Sequence, residues 1–129
     1  MIAALALLAS SLAAAPAVST TAAVSPDGSR IAFLSTRAGL ADLFVISVDG
    51  TEQRQLTKTP EEEGAPGWMP GGKRLWFSVQ DGNASRLLTV EPDGSHLEQI
   101  GSVPGRAAQI APDGASVLYT TGSWTEVTL

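Results

Sequence analysis

The chain has 129 residues, enough for one modest domain, and its 43% hydrophobic and 16% charged content is typical of a globular protein. Thirteen acidic against eight basic residues give a net charge of −5, and only Lys73 and Arg74 are adjacent basic residues. Nucleic-acid binders carry a clustered basic patch, so the charge argues against a nucleic-acid partner. The absence of cysteine excludes disulfides, thiolate metal sites and a cysteine nucleophile.

The N-terminus differs in composition from everything that follows it. Residues 2–9 form an apolar core, and Ala15 and Ala17 supply small residues at a cleavage site after Ala17. The run is too short and interrupted to span a bilayer, which takes about 20 apolar residues. We predict a signal peptide over residues 1–17 and a periplasmic or secreted bacterial protein, with no membrane span once it is removed. No Lys or Arg precedes the apolar core, so a hydrophobic first helix of the fold is the alternative.

After the leader, the pattern predicts short strands separated by turns. The first four strands are expected at residues 18–25, 30–36, 42–48 and 53–56. The next four are expected at 64–69, 73–79, 85–90 and 96–100, and further strands near 106, over 115–121 and over 126–129. The nearly continuous apolar run in 42–48 predicts burial on both faces. No segment after the leader has capped helical periodicity, so the fold is predicted to be all-β.

Two turns recur along the chain at one period. Pro26-Asp27-Gly28 returns as Pro70-Gly71-Gly72 after 44 residues and as Pro112-Asp113-Gly114 after a further 42. Asp49-Gly50-Thr51 returns as Asp93-Gly94-Ser95, again after 44 residues. A period in the low forties with several short strands per unit indicates propeller blades. We predict an incomplete β-propeller of four-stranded antiparallel blades over residues 18–129, about 2.5 blades in all, with units at 18–63, 64–104 and 105–129.

The aspartates of these turns are interpreted as turn formers. Proline presets φ, the carboxylate accepts hydrogen bonds from backbone N–H groups just ahead, and glycine supplies a positive φ. The alternative, a metal or catalytic site, is less favoured because the four carboxylates lie in equivalent turns rather than converging on one point: Asp27, Asp49, Asp93 and Asp113. In the middle unit Gly71 replaces the aspartate while the turn pattern survives.

Six aromatic residues lie on predicted strands: Phe33, Phe44, Trp68, Trp76, Phe77 and Tyr119. We expect them to form the core between neighbouring blades, the alternative being an exposed aromatic platform for a ligand. Trp124, near a loop or chain end, is the expected exception.

His96 is the only histidine, and it follows a turn beside a predicted edge strand. A serine hydrolase needs a base oriented by a carboxylate and a nucleophile on a sharp elbow, but the chain has no Gly-x-Ser-x-Gly. We interpret His96 as a solvated turn residue and the run Glu61-Glu62-Glu63 as a solvated loop. We therefore expect no catalytic, cofactor-binding or metal-binding residues and no enzyme activity.

These residues resemble a known repeat family. Ser25-Pro26-Asp27-Gly28, Asp42-Leu43-Phe44-Val45 and Gln55-Leu56-Thr57 closely resemble the TolB-type WD40-like β-propeller repeat, and the likeness covers about residues 18–129. The second unit departs from the pattern at Gly71 and ends in Gln99-Ile100-Gly101. The resemblance implies a ring of about six blades. The family's best-known member is a periplasmic protein that binds envelope proteins, and similar blades gate prolyl-oligopeptidase-like peptidases.

Three functional hypotheses follow, of which the weakest is a structural or degenerate remnant with no partner. The first is a non-enzymatic exported module that binds a protein in the bacterial envelope. The alternative is the N-terminal propeller piece of a prolyl-oligopeptidase-like serine hydrolase without its catalytic domain. Two and a half blades cannot close radially, so we expect the outer faces of the first and last blades to be apolar and exposed. Such faces predict self-association, or a fragment of a longer propeller.

Overall fold

The computed structural model describes residues 19–121 and 124–128, so the predicted signal peptide lies outside the described residues. The described part of the chain contains no helix and forms three antiparallel sheets. The first sheet holds β1 (Ser19–Val24), β2 (Arg30–Ser35), β3 (Asp42–Ser47) and β4 (Arg54–Gln55). The second holds β5 (Gly67–Trp68), β6 (Leu75–Asp81), β7 (Ala84–Val90) and β8 (Glu98–Pro104). The third holds β9 (Arg106–Ile110), β10 (Ser116–Thr120) and β11 (Trp124–Thr128).

Each sheet orders its strands as they follow in sequence, which confirms the predicted all-β, four-stranded antiparallel blades. The prediction for residues 64–69 is only partly confirmed, since β5 is reduced to Gly67–Trp68. Pro66 has no N–H to donate and interrupts the ladder just before β5. The chain ahead of it still runs beside β6, through a bridge between Glu63 and Val79 and a 2.7 Å bond from the Gly64 N–H to the Ser78 carbonyl. The fourth strand of the second sheet begins two residues later than predicted and ends at Pro104.

The three sheets stack face to face in chain order. We call the face of a sheet that points in the direction of chain order its front and the opposite face its back. The front of the first sheet thus meets the back of the second, and the front of the second meets the back of the third. The first two sheets share a core of apolar side chains: Ala32, Leu34, Leu43 and Val45 from the front of the first, and Leu75, Phe77, Val79 and Val90 from the back of the second. The second and third sheets share another: Trp76, Leu87 and Val103, with Ala108, Ile110 and Val117. Side chains alternate between faces along each strand, so both faces of the middle sheet are buried.

Two tryptophans on neighbouring strands face opposite ways. Trp68 lies on the back of the second sheet, and its Nε1 donates a 3.0 Å hydrogen bond to the Ala23 carbonyl of the first sheet. Trp76 lies on the front, and its indole covers Gly67, where an added Cβ would overlap the ring. Glycine is therefore required opposite Trp76 because the ring occupies the space of a side chain.

The predicted aromatic core is confirmed for Trp76 and Phe77, which are buried, and Trp68 and Tyr119 pack against the two cores. Phe44 is buried as well, at 4% exposed, and Phe33 is half-buried, but both lie on the back face of the first sheet and belong to neither core between sheets, so the prediction is wrong in placing them between blades. Their strands have the predicted alternation, but no second sheet lies on that side among the described residues. The Trp124 side chain lies outside the described part of the structure.

Successive blades also touch through their proline turns. A Cβ added at Gly72 would lie 3.2 Å from Cδ of Pro26, and one added at Gly114 would lie 3.0 Å from Cδ of Pro70. Both glycines have a positive φ, +69° and +72°. Each turn thus places its proline ring against the glycine of the next turn, and the recurring sequence sets both the turn and the contact between blades.

Candidate functional site

The turn carboxylates are held within their own turns. Oδ1 of Asp27 accepts hydrogen bonds from the hydroxyl of Ser25 at 2.6 Å and from the N–H and hydroxyl of Ser29 at 3.0 and 2.7 Å. These donors, the Ser25 hydroxyl foremost, lower the pKa of Asp27 to about 2. The geometry confirms that this aspartate is a turn former.

The other turns repeat the arrangement. Oδ1 of Asp49 accepts from the Thr51 N–H at 2.9 Å, and Oδ1 of Asp93 accepts from the Ser95 N–H at 2.9 Å. A hydroxyl bond from Thr51 or Ser95 is the main cause that lowers the pKa of each carboxyl. Oδ1 of Asp113 accepts from the Ala115 N–H at 2.9 Å. Within the described residues, no three His, Asp or Glu side chains come together in a way that could hold a metal ion.

His96 lies on an exposed turn with a φ of +53°. Its Nδ1 is 3.0 Å from Oγ of Ser95 and 3.1 Å from Oε1 of Glu91. In a Ser-His-Asp triad the carboxylate and the nucleophile bind opposite ring nitrogens. Here both partners meet the same nitrogen, so these three residues are not arranged for nucleophilic catalysis.

The run of three glutamates is not uniformly solvated, which corrects the interpretation of that loop. Glu61 and Glu62 are exposed, but Glu63 is only 4% exposed. Its Oε2 accepts from the Thr57 hydroxyl at 2.7 Å and its Oε1 from the Thr59 hydroxyl at 3.0 Å. Burial raises the pKa of Glu63, and the charge of nearby Asp42 adds to the rise.

Asp42 belongs to the same buried network. Its carboxylate accepts from Nε2 of Gln55 at 3.0 Å and from the Thr59 N–H at 3.2 Å. Sequence reasoning missed this network, although polar residues at fixed places in the repeat, Asp42 and Thr57, were the available signal. The network fixes the loop that leads from the first blade to the second, so its role here is structural.

Two clefts lie between sheets at opposite ends of the strands. At the end that carries the proline turns, a cleft of about 310 Å³ is lined by Arg30, Arg54 and Asp93, and Arg54 donates to the Asp93 carbonyl at 3.1 Å. At the other end, a cleft of about 320 Å³ between the second and third sheets is lined by Glu62 and Arg106 among others. Both clefts carry charges of both signs, which suits polar contacts with a protein surface.

The back face of the first sheet carries a patch of apolar side chains. Phe33 and Phe44 stack with their ring centroids 5.8 Å apart, and the Arg37 guanidinium lies 5.4 and 4.9 Å from the two centroids. Beside this stack lies a depression of about 390 Å³ lined by Ile31 and Ile46 among others. Val24, on the same face, is 60% exposed. The outer face of the first blade is therefore apolar, as expected, but it is only partly exposed, since Phe44 is 4% exposed and Phe33 is half-buried.

Comparison with known proteins identifies the repeat. The family described as the TolB β-propeller domain matches residues 2–129. The chain belongs to this family. As a TolB β-propeller domain it is similar in fold to the solved TolB of Acinetobacter baumannii, with a TM-score of 0.69 at 19% identity over 84% of this chain and 29% of that one. It is also similar in fold to an acylaminoacyl peptidase, with a TM-score of 0.58 at 13% identity over 86% of this chain and 25% of that one.

Curated relatives fall into the same two classes. A stretch of 71 residues, 50% of this chain, is 34% identical to dipeptidyl-peptidase 5 of Porphyromonas gingivalis and covers 10% of that protein. A stretch of 44 residues, 34% of this chain, is 48% identical to the Tol-Pal system protein TolB of Anaeromyxobacter dehalogenans and again covers 10% of it. The matched stretch thus spans about a tenth of the length of each relative. No helix among the described residues is long and apolar enough to cross a membrane.

Proposed function

We propose that this TolB β-propeller domain is a non-enzymatic binding module of the bacterial envelope and that its ligand is a protein. The proposal rests on one observation: side chains that could take part in catalysis are hydrogen-bonded within their own turns and loops. The Asp27, Asp49 and Asp93 carboxylates each bind a residue two positions ahead, and His96 contacts its own turn through one nitrogen. A ligand would therefore bind at the rims or the sheet faces of the propeller.

The cleft at the rim that carries the proline turns is where we place the protein ligand. Arg30 and Arg54 are exposed at the rim that carries the proline turns, and the nearby Asp93 carboxylate is held by the Ser95 N–H. Charged groups on a rigid rim provide orientation and specificity in a protein contact. The similarity to Tol-Pal system TolB proteins supports a partner in the envelope.

The experiment is affinity capture from an envelope extract with the full chain as bait, and with Arg30→Ala/Arg54→Ala as a second bait. An Arg86→Ala bait is the matched control, because Arg86 binds Glu61 at the opposite rim. We expect a specific envelope protein on the parent and control baits and a several-fold loss on the double variant. Equal recovery on all three baits, or none on the parent, would contradict the proposal.

A second function is favoured by the peptidase relatives. The 34% identity to dipeptidyl-peptidase 5 over 71 residues supports the alternative that the chain is the propeller part of a prolyl-oligopeptidase-like serine hydrolase. Such an enzyme carries its nucleophile on a Gly-x-Ser-x-Gly elbow in an α/β domain. The reading frame beyond Leu129 separates the two functions. An elbow followed by an α/β segment, with hydrolysis of a dipeptidyl-p-nitroanilide by the longer product, would favour the peptidase.

Export is proposed from the sequence of residues 1–17. The similarity to the Tol-Pal system protein TolB supports it, and its test is independent of the ligand. N-terminal sequencing of the protein recovered from the periplasm should begin at Val18. A mature protein that begins at Met1 would show that the leader is not a cleaved signal peptide.

A further inference from the structure

The first two blades differ in charge at one pair of equivalent rim positions. In the second sheet, Nη1 of Arg74 lies 3.2 Å from Oε2 of Glu98, and this ion pair runs diagonally across β7. The residues 44 positions earlier are Arg30 and Arg54, which lie at the ends of the same diagonal across β3. The first blade therefore has a second arginine where the second blade has a glutamate.

Both arginines of the first blade lie on the front face of its sheet. Arg30 is the register partner of Ser47 and Arg54 is that of Val45, and residues two apart on a strand share a face. Both arginines are exposed, and both line the cleft of about 310 Å³ against the second sheet. Like charges placed together on one face of a sheet repel each other, so a carboxylate bound between them would stabilise the arrangement.

The chain itself does not supply that carboxylate. Among the described residues, neither Arg30 nor Arg54 forms an ion pair. The carboxylates nearby are engaged elsewhere: Glu52 is hydrogen-bonded to β3, and Asp27 and Asp93 are bound within their own turns. Arg54 donates to the Asp93 backbone carbonyl at 3.1 Å. The two guanidinium groups thus have N–H donors left for a ligand.

We propose that this cleft is a carboxylate-binding site, which takes aspartate or glutamate side chains from an acidic segment of the partner. The inference rests on the proposed function, since it gives the chemistry of the group that binds at the same rim. The partner's carboxylate occupies the position that Glu98 holds beside Arg74 in the second blade. Guanidinium groups suit this role because they donate two parallel N–H bonds to the two oxygens of a carboxylate.

Capped tetraglutamate is a probe of the site that needs no envelope protein. Its binding to the full chain is followed by NMR through the Nε–Hε signals of the arginines. We expect saturable shifts for Arg30 and Arg54 and none for Arg74, because Glu98 already occupies the equivalent position there. Capped tetraglutamine should shift none of these signals. Equal shifts of all three arginines, or no shift at all, would overturn the proposal even if the rim captures an envelope protein.

Variants of the cleft report the sign of the ligand's charge. Arg54→Glu should raise the dissociation constant of tetraglutamate about five- to tenfold, since it removes an attractive charge and gives Arg30 an ion pair within the chain. Glu52→Gln should lower the dissociation constant, because it removes a negative charge from the lining of the cleft. Arg86→Ala, at the opposite rim, is the control and should leave it unchanged. Tighter binding by Arg54→Glu, or weaker binding by Glu52→Gln, would overturn the proposal.

Zero-length cross-linking applies the same test to the envelope protein. A carbodiimide joins a lysine amine to a carboxylate in contact with it, so Arg30→Lys serves as the bait and Arg74→Lys as the matched control. The control should link to Glu98 within the chain, and the bait to an aspartate or glutamate of the captured protein. Capture without that link, or links only to Glu52 or Asp27 of the same chain, would overturn the site and leave the proposed function standing. Binding of tetraglutamate without capture of any protein would support the site and contradict the proposed function.

Discussion

The hydroxyl of Thr57 donates a 2.7 Å hydrogen bond to Oε2 of Glu63 in the loop between the first and second blades. The same hydroxyl oxygen accepts the Leu43 N–H at 2.8 Å. Thr57 therefore links strand β3 to the carboxylate that precedes β5, and both groups are buried. This explains in physical terms why a threonine ends the Gln-Leu-Thr sequence of the first repeat.

Glu63 should make stability depend on pH in a defined window. Its pKa is raised in the folded state above the ordinary 4.5, so the folded protein binds the proton more tightly than the unfolded chain. Its contribution is present in full below pH 4.5 and is lost as the pH rises through the raised pKa. As the pH rises through the raised pKa, we expect the free energy of unfolding of the parent to fall relative to that of Glu63→Gln. Urea titrations at a series of pH values measure it, with exposed Glu62→Gln as the control; a difference that stays constant with pH would contradict the assignment.

Thr89 should be a site of stabilisation. Its side chain is 2% exposed, and its hydroxyl has no hydrogen-bond partner. The residue 44 positions earlier is Val45, which is buried on the equivalent face. Thr89→Val should raise the free energy of unfolding by about 1 kcal/mol, because it removes an unpaired buried hydroxyl.

The matched control is Thr57→Val, which makes the same chemical change at a hydroxyl that bonds Leu43 and Glu63. It should lower the free energy of unfolding by roughly 2 kcal/mol. Denaturant melts of both variants check the pair, and destabilisation by Thr89→Val would show that its hydroxyl has a partner.

The turn aspartates should differ in how much they stabilise the fold, according to the number of hydroxyl groups that bind them. Asp27 accepts from two serine hydroxyls and one N–H, whereas the residue two positions after Asp113 is Ala115, which has no hydroxyl. Asp27→Ala should therefore destabilise the protein more than Asp113→Ala at neutral pH. Since the pKa of Asp27 is lowered to about 2, its contribution is present above 3.8 and is lost as the pH falls through the folded value. Thermal melts of both variants, at neutral and strongly acidic pH, would reject this account if Asp113→Ala were the more damaging change.

Gly105 should not tolerate a side chain. It has a φ of +93°, and an added Cβ would overlap the Thr120 carbonyl, which is backbone and has no other rotamer to adopt. Gly105→Ala should lower the free energy of unfolding by roughly 3 kcal/mol. Gly101→Ala is the control, because nothing lies within 4 Å of a Cβ there, and its effect should be small. Chemical denaturation distinguishes the two, and equal effects would contradict the predicted clash.

The blades were predictable because each local signal agreed with the others. Alternation in β2, the apolar run of β3 and the turns at Asp27 and Asp49 all point to one hairpin arrangement. The 44-residue repeat then extends that prediction to the second sheet. Strand ends were less predictable, as at β5, where the break at Pro66 shortens the paired segment.

The sequence did not predict which neighbouring sheet each strand face would pack against. A period of two shows that Ile31 and Phe33 share a face, but it does not show which sheet that face meets. The same pattern buries Phe77 and leaves Phe33 on the outer side of the first sheet. The burial of Glu63 is a tertiary effect as well, since its two hydroxyl partners reach it only when the loop folds back on β3. Contacts of this kind depend on the neighbouring sheet, which local sequence does not specify.

The central claim is that the rim around Arg30 and Arg54 binds a protein of the bacterial envelope. Recovery of envelope protein on the parent bait, compared with the Arg30→Ala/Arg54→Ala bait, tests it most directly. The account predicts a specific protein on the parent and a several-fold loss on the double variant. The same recovery on both baits, or no specific protein on the parent, would contradict it.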